Sequence, residues 1–286
     1  MNFDALYQSF RPALFGLAYR MLGSAADAED IVQDAFVDLY RLADPETIAN
    51  MRSYACRIVA NKCSARLRQL IRERERYVGP WLPEPIVENA ADPSSSYLHR
   101  ESLATAYLLL LQRLSEAERL VFVLKEVLRF NYKEIGEIVG KTEANCRQLC
   151  RRARLALRSG TSERTEPLER ADKLVGRFVS ALQTGDIRQL LEVISDDVVM
   201  IGDSGGRVAG ARAPIASAER VSAFLMKTAS LVPEDARTDF ALVNGTPGIV
   251  LRGGGAVRYV FSFRFNDGKI SGIYAVGNPD KLTGVS

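Results

Sequence analysis

Apolar residues recur at helical spacing over residues 3–77. Phe10, Leu14, Leu17, Ala18 and Met21 share one face, and Gly23-Ser24 interrupts the run. Ala28, Ile31, Val32, Ala35, Phe36 and Leu39 then form a second stripe. After Asp44-Pro45, a third helix carries Ile58, Val59, Leu67, Leu70 and Ile71 among basic residues. Residues 78–97 lose this period: Pro80, Pro83, Pro85, Pro93 and Ser94-Ser95-Ser96 predict a linker, stiff at first and looser later. Fully extended, it would span roughly 65–70 Å at about 3.3–3.6 Å per residue. Helical spacing returns over 98–159, punctuated at Asn131 and Gly140-Lys141, and a charged join containing Pro167 follows.

The last 120 or so residues change period. Helices over about 168–183 and 186–194 precede a strand, Val198 to Ile201, and a Gly-rich turn. A helix over about 214–231 leads to strands near 239–243, 248–252, 256–265 and 270–276, with turns at Asn244-Gly245 and Asp267-Gly268. The expected architecture is multidomain: two all-α domains, then an α+β domain whose curved sheet folds over its helices. The expected boundaries are 1–77, a linker at 78–97, 98–160, a join at 161–167, and 168–286.

Charge sharpens the picture only when mapped. Net charge is +3, but residues 52–76 carry eight basic against two acidic residues, and 141–158 carry six against one. Residues 23–46 carry seven acidic against one basic, whereas basic and acidic residues balance from Glu166 onward. Two surfaces therefore suit an anionic ligand and a third suits a cationic partner. The start lacks the basic-then-apolar order of a signal peptide, and no apolar run is long enough to span a bilayer, so a cytoplasmic protein without membrane contact is expected. Four cysteines, Cys56, Cys63, Cys146 and Cys150, fall on apolar helix faces, and packing explains them better than a zinc site or redox switch. No metal, cofactor or catalytic residue is expected, and the only histidine, His99, offers little to a metal site.

Tyr132–Val139, the turn at Gly140 and a helix N-capped by Thr142 form a helix-turn-helix pattern. Asn145 and Gln148 lie near the start of the second helix, and Arg147, Arg151, Arg154 and Arg158 line an outer face. Amides placed first and arginines later suit base readout followed by phosphate binding. On the third helix, Tyr54, Arg57, Asn61, Lys62, Arg66 and Arg68 combine an aromatic, an amide and cations, which suits unstacked bases beside a charged backbone. Asp27, Asp30, Asp34 and Asp38 form one acidic stripe, a repulsive arrangement most simply explained by a basic partner.

These segments resemble sigma factors of the extracytoplasmic-function group. Asp27 to Phe36 resembles their polymerase-binding helix, Tyr54 to Asn61 their −10 reader, and Leu114–Phe122 through Arg147–Arg154 their −35 reader. The resemblance implies that Asp27, Asp30, Gln33 and Asp34 dock on core RNA polymerase, at the β′ clamp helices, with the β flap as a further contact. It implies promoter-DNA contacts at Asn61, Lys62, Arg66, Asn145, Arg147, Gln148, Arg151 and Arg152. Tyr54 stands where many relatives carry Trp.

Three further motifs resemble the SigJ-like subgroup, whose members carry a fused SnoaL-like domain of the NTF2 type. They are Trp81-Leu82-Pro83-Glu84-Pro85, the stretch Gly202 to Arg207 with Asp203 and Arg207, and Asn278-Pro279-Asp280-Lys281-Leu282. Ser204 replaces a glycine often found in the second of these. The resemblance implies a cone-shaped domain that tunes sigma activity in cis. Contact between Asn278–Leu282 and Trp81–Pro85 is expected on this basis.

Magnitudes require a larger partner. Opening on the order of ten base pairs costs roughly 14 kcal/mol at about 1.4 kcal/mol per step. One bidentate base contact contributes only about 1–3 kcal/mol. Two other classes fit parts of the pattern: a helix-turn-helix regulator that acts without polymerase, and a SnoaL-type enzyme with a DNA-binding appendage. For the second, Asp203, Arg207, Arg258 and Tyr259 are the polar candidates, and a small ligand in the tail domain remains an alternative to a pure contact role.

Overall fold

The computed structural model describes residues 3–42, 48–88, 103–158, 166–208, 210–233 and 235–285. Asp44-Pro45, Pro93, the serine run at 94–96, His99 and the expected boundaries at 97/98 and 160/161 lie outside them. The chain divides into two compact units.

The first unit draws on residues 3–75 and 108–158. Helices α1 (Phe3–Leu22), α2 (Ala25–Tyr40) and α3 (Met51–Glu75) pack as a bundle. Gly23, at φ 71°, ends α1, and the Ser24 hydroxyl caps α2 by accepting from the Asp27 amide at 3.1 Å. The remaining helices are the last turn of α4 (Thr105–Leu111), α5 (Glu116–Phe122) with its π-helical extension Val123–Val127, α6 (Tyr132–Val139) and α7 (Glu143–Arg158). Capping boxes at Ser115 and Asn131 start α5 and α6, and Gly140, left-handed at φ 65°, stops α6.

Both helical segments share this unit, and α6 packs against α3. Arg119 donates to the Met21 carbonyl at 2.6 Å and Arg74 to the Leu22 carbonyl at 2.8 Å, so two guanidiniums close the C-terminus of α1. Burial lowers both side-chain pKa values to about 10. Arg52 donates to the Leu128 carbonyl at 2.8 Å and lies 4.6 Å from the Phe130 ring centroid. All four cysteines are buried free thiols; burial pushes Cys56 up to about 12 and raises Cys63 further. That is the packing role their spacing predicts.

The second unit draws on residues 76–88, 103–107 and 166–285. Helices α8 (Leu168–Thr184), α9 (Ile187–Val193) and α10 (Ala218–Ala229) bury apolar faces against a seven-stranded sheet. Its strands are β1 (Val87–Glu88), β2 (Ile194–Asp203), β3 (Ile215–Ala216), β4 (Arg237–Val243), β5 (Thr246–Gly253), β6 (Ala256–Asn266) and β7 (Lys269–Val276). The order is β1-β4-β5-β6-β7-β2-β3, antiparallel except for β2 beside β7. Phe178 of α8 meets Phe263 of β6 at 5.2 Å in the core.

Strands β4 to β7 form a meander whose turns are Asn244-Gly245, Gly254-Gly255 and Asp267-Gly268, all at positive φ. That conformation is what a right-twisted two-residue hairpin demands. The structure adds two strands the sequence pattern does not predict. Each is only two residues long, and β1 lies in the proline-rich segment expected to be a linker. Val87 pairs with Val243 and Glu88 with Leu242, so this segment extends the sheet by an edge strand. Leu82 is fully buried, and Pro83 and Pro85 are buried too. A short strand can follow these prolines because they are tolerated beside an edge strand, where the missing N–H faces no partner.

If residues 78–88 belong to the second unit, Leu82→Ala should destabilise the full chain by about 2–5 kcal/mol in chemical denaturation, as a buried leucine does. A cost below about 0.5 kcal/mol would mean that the segment is a detached tether.

Candidate nucleic-acid interface and linker latch

Helix α7 is set by its N-cap. The Thr142 hydroxyl accepts from the Asn145 amide at 3.3 Å, and Cys146, Leu149, Cys150, Ala153 and Leu157 turn inward. Asn145, Arg147, Gln148, Arg151 and Arg152 are all exposed. Arg147 is held by Glu143 and lies 5.5 Å from the Tyr132 ring centroid. Arg152 pairs with Glu118 at 3.3 Å, and Arg154 with Glu126. Asn145, Gln148 and Arg151 carry no side-chain hydrogen bond among the described residues, so they are the groups of this helix most ready for a new partner.

The third helix holds its cations differently. Asn61 is exposed, but Lys62 lies 3.0 Å from Asp38 and 3.7 Å from Asp34. Arg66 donates to Asp27 at 2.8 Å and to Glu73 at 2.9 Å. The acidic stripe of α2 is thus answered in part inside the chain, where the sequence pattern pointed to an outside partner. Asp27 is turned towards Arg66, whereas Asp30, Gln33 and Asp34 are exposed. Val37 and Tyr40 stand exposed on the same helix.

The motifs of the second half converge on one carboxylate. Asp203 ends β2, where the parallel register sets it beside Val276 of β7. Its backbone carbonyl accepts from the Gly277 and Asn278 amides at 2.8 and 3.1 Å. Its side chain is buried, and Oδ2 accepts from Lys281 Nζ at 2.6 Å and from the Leu82 amide at 2.7 Å. Oδ1 accepts from the Tyr77 hydroxyl at 2.5 Å. Lys281 Nζ also donates to the Leu82 carbonyl at 2.5 Å and lies 3.9 Å from the Trp81 ring centroid. Asn278 Nδ2 donates to the Tyr77 hydroxyl at 2.7 Å, and Arg207 pairs with Asp280 at 3.0 Å on the surface.

The expected contact between the two motifs is therefore present, through Lys281 on Trp81 and Leu82. Glu84 and Pro85 are half-buried and buried, Leu282 is buried, and Pro279 opens the short 3₁₀ turn that presents Lys281. Burial, then the adjacent Asp203 carboxylate, raises the Tyr77 pKa. Gly205 is required rather than tolerated. It has φ 56°, and a Cβ there would stand 2.6 Å from Asn278 Nδ2 and 3.0 Å from the Tyr77 oxygen.

Sequence reasoning missed Tyr77, Asn244, Thr105 and Ser262. Asn244 Oδ1 accepts from the Ile86 amide at 2.7 Å, and Nδ2 donates to Thr105 Oγ1 at 3.0 Å. That oxygen lies 2.7 Å from Ser262 Oγ. The signal available for Asn244 was its place in an Asn-Gly turn, which explains its backbone but not its side chain. Arg258 donates to the Gly253 carbonyl, and the Tyr259 ring closes over Gly277.

A helical unit with a helix-turn-helix and an α+β unit that binds the segment at 77–86 define a combination that comparison with known proteins identifies. The sigma-70 region 2 family matches residues 6–73, sigma-70 region 4 matches 104–157, and the SnoaL-like domain family matches 175–273. The ECF RNA polymerase sigma factor SigJ of Mycobacterium tuberculosis is 32% identical, over 97% of this chain and 92% of its own. A probable ECF sigma factor, SigI of the same species, is 29% identical over 98% and 94%. The crystal structure of M. tuberculosis SigJ matches with a TM-score of 0.79 at 28% identity, covering 98% of each chain. The chain belongs to the extracytoplasmic-function sigma factors and carries a fused C-terminal SnoaL-like domain. Among the described residues no helix is long and apolar enough to cross a membrane.

Breaking a buried pair strands a charge. Lys281→Ala should cost about 3–5 kcal/mol in equilibrium unfolding, because it leaves the Asp203 carboxylate buried without its counter-charge. A single-variant cost below about 1 kcal/mol would show that water already reaches the pair.

Proposed function

We propose that this chain mounts on core RNA polymerase in the cytoplasm, reads the −35 and −10 elements of promoter DNA, and is tuned in cis by a non-catalytic SnoaL-like domain acting through the linker. Asp30, Gln33 and Asp34 of α2 dock on the β′ clamp helices, and α7 occupies the β flap side and the −35 major groove. Asn145, Arg147, Gln148, Arg151 and Arg152 supply that readout, and Asn61 takes an unstacked −10 base. Lys62 and Arg66 hold the DNA backbone once they exchange their carboxylate partners for phosphates.

The observation that carries the regulatory part is the saturated Asp203 carboxylate. Three donors, two of them from the segment joining the helical regions, occupy its oxygens. A general acid or base needs a free proton site facing substrate. A carboxylate held by an ammonium, a phenol and a backbone amide instead acts as a structural anchor. The tail residues Lys281 and Asn278 thereby govern whether the segment at 77–82 stays attached.

Run-off transcription with core polymerase tests this reading. The double variant Arg147→Ala/Arg151→Ala should lower promoter-dependent output at least tenfold, because each lost base or phosphate contact weakens binding. Deleting residues 278–286 should change output from the same template. Unchanged transcription in both would contradict the proposal.

A further inference from the structure

Asn244 sits in a two-residue hairpin turn, with φ 51° beside Gly245 at 75°. Asn-Gly suits that turn, and such a tip ordinarily lies in water. Here Asn244 is only 1% exposed. Two remote parts of the chain cover it. Its backbone amide donates to the Ile86 carbonyl at 2.8 Å, and its side-chain oxygen accepts from the Ile86 amide at 2.7 Å. Its side-chain nitrogen donates to Thr105 Oγ1, which is seated against Ser262 Oγ of β6. Thr105 and Ser262 are buried at 5% and 4% exposure, so these hydrogen bonds are made out of water.

One amide therefore grips two points of the chain: Ile86, inside the segment that follows sigma region 2, and Thr105, at the start of region 4. The intervening residues 87–104 could extend about 60 Å if both ends were free, at about 3.3–3.6 Å per residue. With Ile86 and Thr105 on the same side chain, that length contributes nothing to the reach between the two DNA readers. The Asp203–Lys281 latch differs, because it holds only the outgoing end at 77–82.

We propose that Asn244 and Ser262 form a binding site in the SnoaL-like domain for the chain's own Ile86 and Thr105, which it holds at one place. The site fixes the spacing between −35 and −10 elements that the protein accepts. This rests on the reading above that the tail domain acts through the linker, and it assigns the returning end of that linker to a separate latch.

The test uses the full-length chain with core polymerase, on a promoter that the wild-type protein selects from a random DNA pool. The distance between the two elements is then varied one base pair at a time. Asn244→Gly keeps a residue suited to positive φ and deletes only the amide. Thr105→Val keeps the volume and deletes the hydroxyl. Each variant should broaden the spacing profile, raising output one or two base pairs from the optimum about fivefold relative to the peak. Amides of Thr105–Leu111 should exchange with deuterium about tenfold faster, as loss of a buried hydrogen bond implies. Profiles and exchange matching wild type in both variants overturn the Asn244 site alone. A flat profile for the wild-type chain itself overturns the parent reading, and the site with it.

Discussion

A carboxylate and an ammonium taken out of water must satisfy each other or unfold what buries them. Asp203 and Lys281 meet that constraint at 2.6 Å with side-chain exposures of 0% and 7%. Because Asp203 also takes the Leu82 amide and Lys281 the Leu82 carbonyl, the pair can stay buried only while residue 82 is in place. The glycine turn at Gly205, the parallel pairing of β2 with β7 and the 3₁₀ turn at Pro279–Lys281 all serve that geometry. A cation over the Trp81 face completes the shell. The SnoaL-like fold thus spends its most costly polar group on holding a linker.

The helical unit follows a different electrostatic rule. Several of its cations are not bare: Lys62, Arg66, Arg147, Arg152 and Arg154 each have a carboxylate nearby. Exposed pairs of this kind are worth roughly 0–1 kcal/mol, and Arg66–Asp27, at 29% and 21% side-chain exposure, is the more shielded one. Such pairing keeps the side chains extended and ordered without committing them. Buried Arg74 and Arg119 are the opposite case, closing helix α1 through carbonyls at the expense of desolvation.

Most of the fold was legible in the sequence because periodicity reports burial directly. The inward face of α7 and the four meander strands follow from it, with ends displaced by a residue or two. The acidic stripe was visible but its partners were not, since Lys62 and Arg66 meet it only when α2 and α3 cross. The strand at Val87–Glu88 escaped because two residues carry no readable period and the flanking prolines signal a linker. Asp203 was found through motif resemblance. Its ligands Tyr77 and the Leu82 amide were not, because a backbone donor leaves no trace in side-chain type. Asn244 was read correctly as a turn residue, and its second role depends on contacts 139 and 158 residues away in sequence.

The central claim is that the linker is a bound part of the SnoaL-like domain, anchored on Asp203. The Leu82 amide reports on this directly, since its hydrogen lies between residue 82 and that carboxylate. Hydrogen exchange followed at Leu82 in the intact protein should show strong protection, comparable to core amides of β6 and β7, and Asp203→Ala should abolish it. Exchange at the rate of an unstructured peptide in the unaltered protein would contradict the account.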